Sequence, residues 1–426
     1  MTDIQNKLSA RGLIVWLVCA LFYMYEFLLR TVLGTFQHDL SMDLTLSPVQ
    51  FALLSSTAYQ LVYGFMQIPV GIITDSLGLK KALFIAVLTC TVAAVGFGFS
   101  QSFIMAVIFR VLMGFGSSFG FVCLLIAVYD WLPRKNVALF IGLSQFIGTI
   151  GPMAAAGPLH MLSEKSIVSW RSVFFSLAVI GVFIAFLVFL LVDKNRQKQS
   201  KFTILTRPTS MFENLKRLLS HSQVWMIAVF CACSYFCMEY LSENEGVNFL
   251  VKKGFSMPFS SFMITLAWLG FAIGCPIAGF ISDRIQRRKP VIIASALLSF
   301  IALVSIFYLP LNHYLISIAF AVLGFGIGGH SVGIALIAEQ CKKSYLALGL
   351  GLNNAMTMTF TALMSPFVGS LFTRYPHPTS LFTYQKVFSV MTLLVFIGLL
   401  LSIFCIKETF GKSARENTSL LPTSHL

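Results

Sequence analysis

The 426-residue sequence predicts an all-α integral membrane protein, with twelve transmembrane helices in two pseudo-symmetric halves of six. Three observations carry that expectation. Hydrophobic residues make up 57% of the chain and charged residues 11%, with a mean hydropathy of +0.84, far from the balance of a water-soluble domain. The apolar residues gather in runs of about 20 or more, the length a helix needs to cross a ~30 Å hydrocarbon core. Short patterns in the first half return in the second at a nearly constant offset.

Cut at charge clusters and turn residues, the runs fall at 12–36, 47–74, 82–100, 103–128, 137–160, 170–192, 222–251, 259–282, 290–309, 313–339, 345–372 and 384–406. No small-residue cleavage site follows the first, so it reads as a retained span and not a signal peptide. Very short connections join the third to the fourth and the ninth to the tenth. The stretch Asp193 to His221 is the one long polar interior segment, and it separates six spans from six. Within it, Ser210-Met-Phe-Glu213 fits a capping box. It opens either a surface-lying helix carrying Leu215, Leu218 and Leu219 or a capped turn in a solvated linker. The expected units are therefore a bundle over 1–192, a linker over 193–221, a second bundle over 222–410 and a tail over 411–426.

The net charge of +14 does not point to nucleic acid, because a membrane protein keeps its lysines and arginines on cytoplasmic loops. With both termini inside, the tails and the loops on their side hold 22 lysines and arginines and the opposite loops hold six. That bias sets both termini in the cytoplasm. Arg30 and Arg110 stay inside spans. The nine cysteines are scattered, apart from Cys231, Cys233 and Cys237, and show neither a CxxC pair nor metal-ligand spacing, so they read as small buried hydrophobes.

Gly71-Ile-Ile-Thr-Asp75 with Lys80 and Lys81 recurs as Gly279-Phe-Ile-Ser-Asp283 with Arg288 and Lys289, 208 residues on. Val-Leu-Met-Gly114-Phe-Gly116 has its counterpart in Val-Leu-Gly324-Phe-Gly326, 210 residues on. With these residues in view, the chain resembles the major facilitator superfamily over nearly its whole length. GIITDSLGLKK resembles that superfamily's signature loop at Gly71, Asp75, Gly78, Lys80 and Lys81. The second copy lacks the middle glycine, with Ile285 or Gln286 in its place. RVLMGFG at Arg110 and Ser169-Trp-Arg-Ser-Val-Phe are similar to further motifs of the superfamily. GTIGPMAAAGP resembles the fifth-span motif of drug/proton antiporters without its paired glycines, which argues against export. Tyr-x-x-Glu-x-x-x-Arg in span 1, GFMQIPVGIITD and SQFIGTIGPMAAAGPL resemble a bacterial branch that includes phagosomal nutrient transporters.

Ionisable groups inside spans are costly and mark function. Glu26, Arg30, Arg110 and Glu239 fall at similar estimated depths, and the resemblance implies that their spans line a central cavity. They are the expected proton-coupling and substrate-binding set. Glu26 and Arg30, four apart with the acid first, suit a helix-surface ion pair that is either permanent or opens during transport. A carboxylate alternating between Arg30 and Arg110 would take up and release a proton with conformation, and Glu239 would suit the same role. Glu243 and Glu245 read as solvated acids near the outer interface. Mixed charges suit a zwitterion, with arginine for a carboxylate and glutamate for an ammonium. Tyr23, Tyr59, Tyr63, Gln67, His330, Asn353 and Asn354 are secondary cavity residues; for the tyrosine stripe and His330, plain packing is the competing reading. The resemblance implies a cytoplasmic gate of Gly71, Asp75, Gly78, Lys80, Lys81, Gly279, Asp283, Arg284 and Arg288, with Asp130 and Glu339 as partners, while the bland reading leaves these charges setting topology alone.

The expectation is a proton-coupled symporter in the bacterial inner membrane, importing a small polar nutrient such as an amino acid or short peptide by alternating access. A proton antiporter exporting an organic metabolite, siderophore or drug is the rival, and a transporter-like sensor is the rival of another class. A monomer is expected, with no metal, cofactor or nucleic-acid partner. No nucleophile and base constellation and no GxxxxGK[ST] loop are present, so enzymatic activity and ATP use are not expected.

Overall fold

The computed structural model describes residues 8–133, 137–164, 167–192, 216, 218–341, 346–375, 377 and 379–410. The Ser210–Glu213 capping box and the 411–426 tail lie outside them, as does nearly all of the 193–221 linker. Among the described residues the chain is helical without strands, and eleven helices are long and apolar enough to cross a membrane. We label the spanning helices α1 (Ala10–Thr35), α2, α3 (Leu79–Gly98), α4 (Phe103–Trp131), α5 (Val137–Glu164), α6 (Trp170–Leu191), α7 (Ser222–Glu243), α8 (Met257–Ile285), α9 (Lys289–Tyr308), α10 (His313–Gln340), α11 (Leu346–Phe372) and α12 (Leu381–Cys405). The twelfth, α2, runs as three consecutive segments, Pro48–Ala52, a π-helical turn Leu53–Thr57, and Ala58–Leu77.

Local chemistry fixes where these helices begin. Ser9, Ser102, Asn312 and Ser380 accept from backbone N–H groups of the first turn, and Ser47 and Ser169 form full capping boxes with Gln50 and Ser172. Between α2 and α3 the chain reverses at Gly78, with φ +79°, a region that favours glycine. The equivalent position in the second half, Gln286 at the end of α8, takes φ +52°. Both positions take a positive φ, but ψ is 157° at Gly78 and 35° at Gln286, so the second copy, without its middle glycine, turns in a different conformation.

Packing sorts the helices. α7 is buried almost from end to end, Val224 to Glu243, whereas α6 turns Val179, Phe183, Phe186 and Leu190 outward at helical spacing, an apolar face suited to lipid. The two halves meet along α1 with α7, α2 with α11 and α5 with α8. At Gly34 the α1 backbone lies against the main chain of Ser242 and Glu243, so closely that a Cβ there would collide with the Ser242 carbonyl.

Candidate functional site

Arg30 projects from α1 into the opposite half. Its Nη2 lies 3.1 Å from Glu239 Oε1 and donates to the Tyr235 hydroxyl at 3.2 Å, its Nε lies 3.9 Å from Glu243 Oε1, and its Nη1 lies 3.5 Å from Met358 Sδ. The Phe27 ring centroid is 3.9 Å from the guanidinium carbon. Gln60 on α2 completes the cluster, its Nε2 donating to Glu239 Oε2 at 2.9 Å and to Glu243 Oε2 at 3.0 Å. Ser56 donates to Glu243 at 3.2 Å and accepts from Asn244 Nδ2 at 3.3 Å, while Ser55 donates to Asn244 Oδ1 at 2.9 Å. Each of these bonds from Arg30, Gln60, Ser55 and Ser56 crosses between halves.

The expected pairing of Glu26 with Arg30 is not what the structure holds. Glu26 accepts from the Tyr59 hydroxyl at 3.0 Å and lies against Gly120, and Arg30 takes its carboxylates from α7. A four-residue spacing brings two side chains onto one helix face, but a longer-reaching partner on a facing helix outcompetes it when the site is dry.

Arg110 also departs from the expected set. Its guanidinium donates to four main-chain carbonyls, Leu54 at 3.2 Å, Leu29 at 2.8 Å, Arg30 at 3.2 Å and Ser55 at 2.7 Å, and its carbon lies 4.7 Å from the Tyr59 ring centroid. Leu54 and Ser55 belong to the π-helical turn of α2, where the ordinary ladder is interrupted and carbonyls are left open to an outside donor. Arg110 therefore fastens α4 to α1 and α2. Glu243, read as a solvated acid, is fully buried. Glu245 is half-buried and accepts from Tyr384 at 2.7 Å, Asn248 at 3.0 Å and Gln37.

A cavity of about 370 Å³ opens beside Arg30. It is lined by Tyr23, Tyr63, Tyr235, His330, Asn353 and Asn354, among others, and reaches Leu125, Tyr129, Ala338 and Leu350, toward the face that carries the termini. Toward the opposite face the halves are closed by the Arg30 cluster, by Thr57 donating to the Ala362 carbonyl at 2.5 Å, and by the Gly157 N–H donating to Thr265 at 2.7 Å. Tyr59 and Gln67 stand behind the lining. Tyr59 holds Glu26, and Gln67 accepts from Asn354 at 2.9 Å, joining α2 to α11. Sequence reasoning missed Gln60, Ser56, Asn244 and Tyr235; Gln60, a lone amide next to the Tyr59 stripe in an apolar run, was the available signal.

The loop charges on the terminal face sort within the second half. Arg288 bridges Asp283 at 2.5 Å and Glu339 at 2.8 Å and bonds Ser282 at 2.9 Å. Glu408 accepts from the backbone N–H groups of Arg288 and Lys289 at 2.9 Å each, capping α9. Burial works to raise the Glu408 carboxyl, but those donors with Thr409 and Phe410 hold it below its ordinary range. Lys80 donates to the Phe189 carbonyl at 2.6 Å; Lys81 and Arg284 are exposed, Gly71 is buried, Gly279 has open space beside it and Asp130 is half-buried. The Asp75 side chain lies outside the described residues. On the opposite face, Trp170 and Arg171 both grip Asp43, at 2.9 and 2.5 Å, and their bonds hold its carboxyl below the ordinary range.

The family model of the Major Facilitator Superfamily matches residues 15–251 and 247–423. Among curated relatives, the hexuronate transporter of Bacillus subtilis is 25% identical over 58% of this chain and 58% of its own length, and the probable L-galactonate transporter of Escherichia coli is 23% identical over 63% of each. The sialic acid transporter NanX of Escherichia coli is 26% identical over 74% of this chain and 76% of its own length. The chain spans about three fifths of the length of the first curated relatives it matches, 58%, 60% and 63%. Among solved structures, a D-xylose-proton symporter superposes with a TM-score of 0.76 at 15% identity, covering 94% of this chain and 99% of that one. A bacterial homolog of the human lysosomal transporter Spinster gives 0.73 at 17% identity, covering 95% and 97%.

Proposed function

The chain belongs to the Major Facilitator Superfamily, and from that premise we propose that it is a secondary transporter that carries a small organic acid together with a proton, by alternating access. The observation that carries the reading is Arg30, which stands in the cavity wall while its guanidinium is held by Glu239 from the other half. A guanidinium is suited to receive a carboxylate in a fixed, forked geometry. The relatives named for hexuronate, L-galactonate and sialic acid are named for carboxylic acids, in keeping with that chemistry.

Proton coupling follows from the charge balance. Glu26, Glu239 and Glu243 stand against Arg30 and Arg110, all of them essentially unexposed, so the layer is neutral with one proton aboard. When a substrate carboxylate takes Glu239's place on Arg30, Glu239 loses its counter-charge and the layer, now one negative charge richer, takes up one further proton there. Substrate and proton therefore load together. Opening toward the opposite face then requires the Arg30–Glu239, Gln60 and Ser56 bonds to part. With the termini in the cytoplasm of a bacterial inner membrane, as the loop charges favour, the present arrangement faces inward, and a proton gradient directed inward would drive import.

An amino acid or short peptide fits less well, because Glu26, Glu239 and Glu243 all lie off the cavity lining and there is no carboxylate for an ammonium among the described lining residues. The deciding experiment is uptake into proteoliposomes across a panel of radiolabelled sugar acids, dicarboxylates, amino acids and peptides, with a pH gradient acid outside. Accumulation of a carboxylic acid that Arg30→Gln abolishes is expected; proton-driven efflux of an organic compound would establish the antiporter instead, and an absence of net flux a sensor.

A further inference from the structure

We propose that the groove where the start of α9 meets the chain leaving α12 is a binding site for an anionic phospholipid, with Arg287 and Lys289 holding the phosphate and the first turns of α9 receiving an acyl chain. The inference goes beyond the transport reading and does not depend on the cargo or on proton coupling.

Three consecutive basic residues, Arg287, Arg288 and Lys289, stand at the start of α9 and are used differently. Arg288 is engaged by Asp283 and Glu339. Arg287 and Lys289 instead line a groove of about 660 Å³, and their side chains have no ion pair among the described residues. The Arg287 guanidinium carbon stands 5.9 Å from the centroid of the Phe410 ring, which lines the groove as well. Glu408 is the one acid among the described lining residues, and both its oxygens already accept from backbone N–H groups, Oε1 from Arg288, Thr409 and Phe410 and Oε2 from Lys289. It thereby ties the chain leaving α12 to the start of α9 and sets the two cations side by side. The described lining carries one net positive charge, and its anion is occupied by the backbone.

Below the cations the groove becomes apolar. Pro290, Ile293, Ala294 and Leu297 follow at helical spacing along α9 and complete its lining. α9 packs on α10 and α12 and leaves Leu297, Leu298 and Ile301 exposed, so this side of the helix is suited to hydrocarbon. At ~1.5 Å per residue the 20 residues of α9 span about 30 Å, the thickness of the hydrocarbon core. Lys289 then sits at the headgroup level and Leu297 about 12 Å deeper.

Charge and polarity together choose the occupant. A soluble anion would leave the apolar lining uncovered. A zwitterionic lipid would bring its own cationic group to two cations whose neighbouring carboxylate is already engaged. An anionic phospholipid supplies a phosphate to Arg287 and Lys289 and an acyl chain to Ile293 and Leu297.

The test uses the full-length protein in phosphatidylcholine proteoliposomes containing a trace of phosphatidylglycerol or phosphatidylcholine with a diazirine in one acyl chain, and crosslinks are mapped by peptide mass spectrometry. The lipid-facing side of α6 serves as the internal reference. Labelling of 290–297 by the phosphatidylglycerol probe, relative to the phosphatidylcholine probe and to α6, is expected to be enriched roughly 25-fold, about fivefold for each cation. Arg287→Gln and Lys289→Gln should each lower the enrichment about fivefold and together remove it, while Lys81→Gln combined with Arg284→Gln, exposed charges of the same face outside the groove, should leave it. Equal enrichment at α9 and α6 would show ordinary boundary lipid and overturn the proposal. So would enrichment that survives the Arg287 and Lys289 double variant, or that the Lys81 and Arg284 control loses equally. Loss of labelling on adding millimolar glycerol 1-phosphate at constant ionic strength would make the occupant a soluble anion and overturn the lipid assignment. The comparison of the two probes on the unmodified protein stands even if a variant fails to fold.

Discussion

Glu239→Gln is the sharpest test of the coupling scheme. The substitution keeps size and one hydrogen-bond acceptor for Gln60, but removes the carboxylate 3.1 Å from Arg30. At an effective dielectric of about 20, two unit charges at that separation attract by about 5 kcal/mol, which is the interaction a substrate carboxylate must replace. In the wild type the replaced carboxylate takes up one proton, so each unit of pH gradient supplies about 1.4 kcal/mol, a tenfold accumulation at most. In the variant there is no carboxylate to protonate, and accumulation falls to the equilibrium ratio of about one. Binding should persist or tighten, because Arg30 no longer has an internal competitor, so exchange of labelled for unlabelled substrate continues without a gradient. The assay is uptake in proteoliposomes with the interior one pH unit more alkaline, beside counterflow at equal pH. Tenfold accumulation by Glu239→Gln would refute the scheme, and a wild-type ratio near a hundredfold would show that two protons move, bringing in Glu243.

Glu26→Gln, in contrast, should leave accumulation largely intact, since Glu26 bonds Tyr59 and does not pair with Arg30; loss of accumulation in uptake assays would return the coupling role to it. Arg110→Gln removes most of four carbonyl bonds and should lower the unfolding temperature of the purified protein markedly, with Arg110→Lys intermediate; an unchanged melting curve would contradict its fastening role. Gly34→Val should prevent α1 from meeting Ser242 and hold the opposite face open, raising labelling of a cysteine placed at Ser55 and halting uptake. Asp43, held below the ordinary carboxyl range by Trp170 and Arg171, contributes stability present above about pH 3.9 and lost as pH falls through its lower folded value. Because that pair is 39% and 44% exposed, Asp43→Asn should cost under about 1 kcal/mol in denaturant melts near neutral pH, and the difference should vanish in strong acid.

The fold was legible because lipid imposes a length and a composition on each span, and because the Gly71–Lys81 loop survives twice in one chain. Its departure shows in the backbone: Gln286 takes a positive φ, as Gly78 does in the first copy, but with a ψ that a side chain tolerates. The site was legible by residue type and depth. Arg30 and Glu239 were assigned similar depths, and their side chains meet. Partnership was not legible. Spacing along one helix reports which residues share a face, so Glu26 and Arg30 were matched, whereas the rotation of α1 toward α7 depends on close approaches such as Gly34 that involve both halves. Arg110 escaped for another reason: its acceptors are carbonyls exposed by a π-helical turn, and nothing in Leu53–Thr57 as a string of letters marks that irregularity. Glu243 was misread because its place near a helix end suggests water, while Gln60 and Ser56 bury it.

The two buried arginines also differ in what mutation can do to them. All four residues that Arg30 touches in the second half, Tyr235, Glu239, Glu243 and Met358, meet it through side chains, so single codon changes can retune its charge and shape and, with them, the cargo. The four oxygens around Arg110 are peptide carbonyls, present whatever residue stands at 29, 30, 54 or 55. Divergence in specificity among descendants of this chain should therefore accumulate around Arg30, while the anchorage of Arg110 persists through sequence drift at its contacts as long as the backbone turn in α2 is kept.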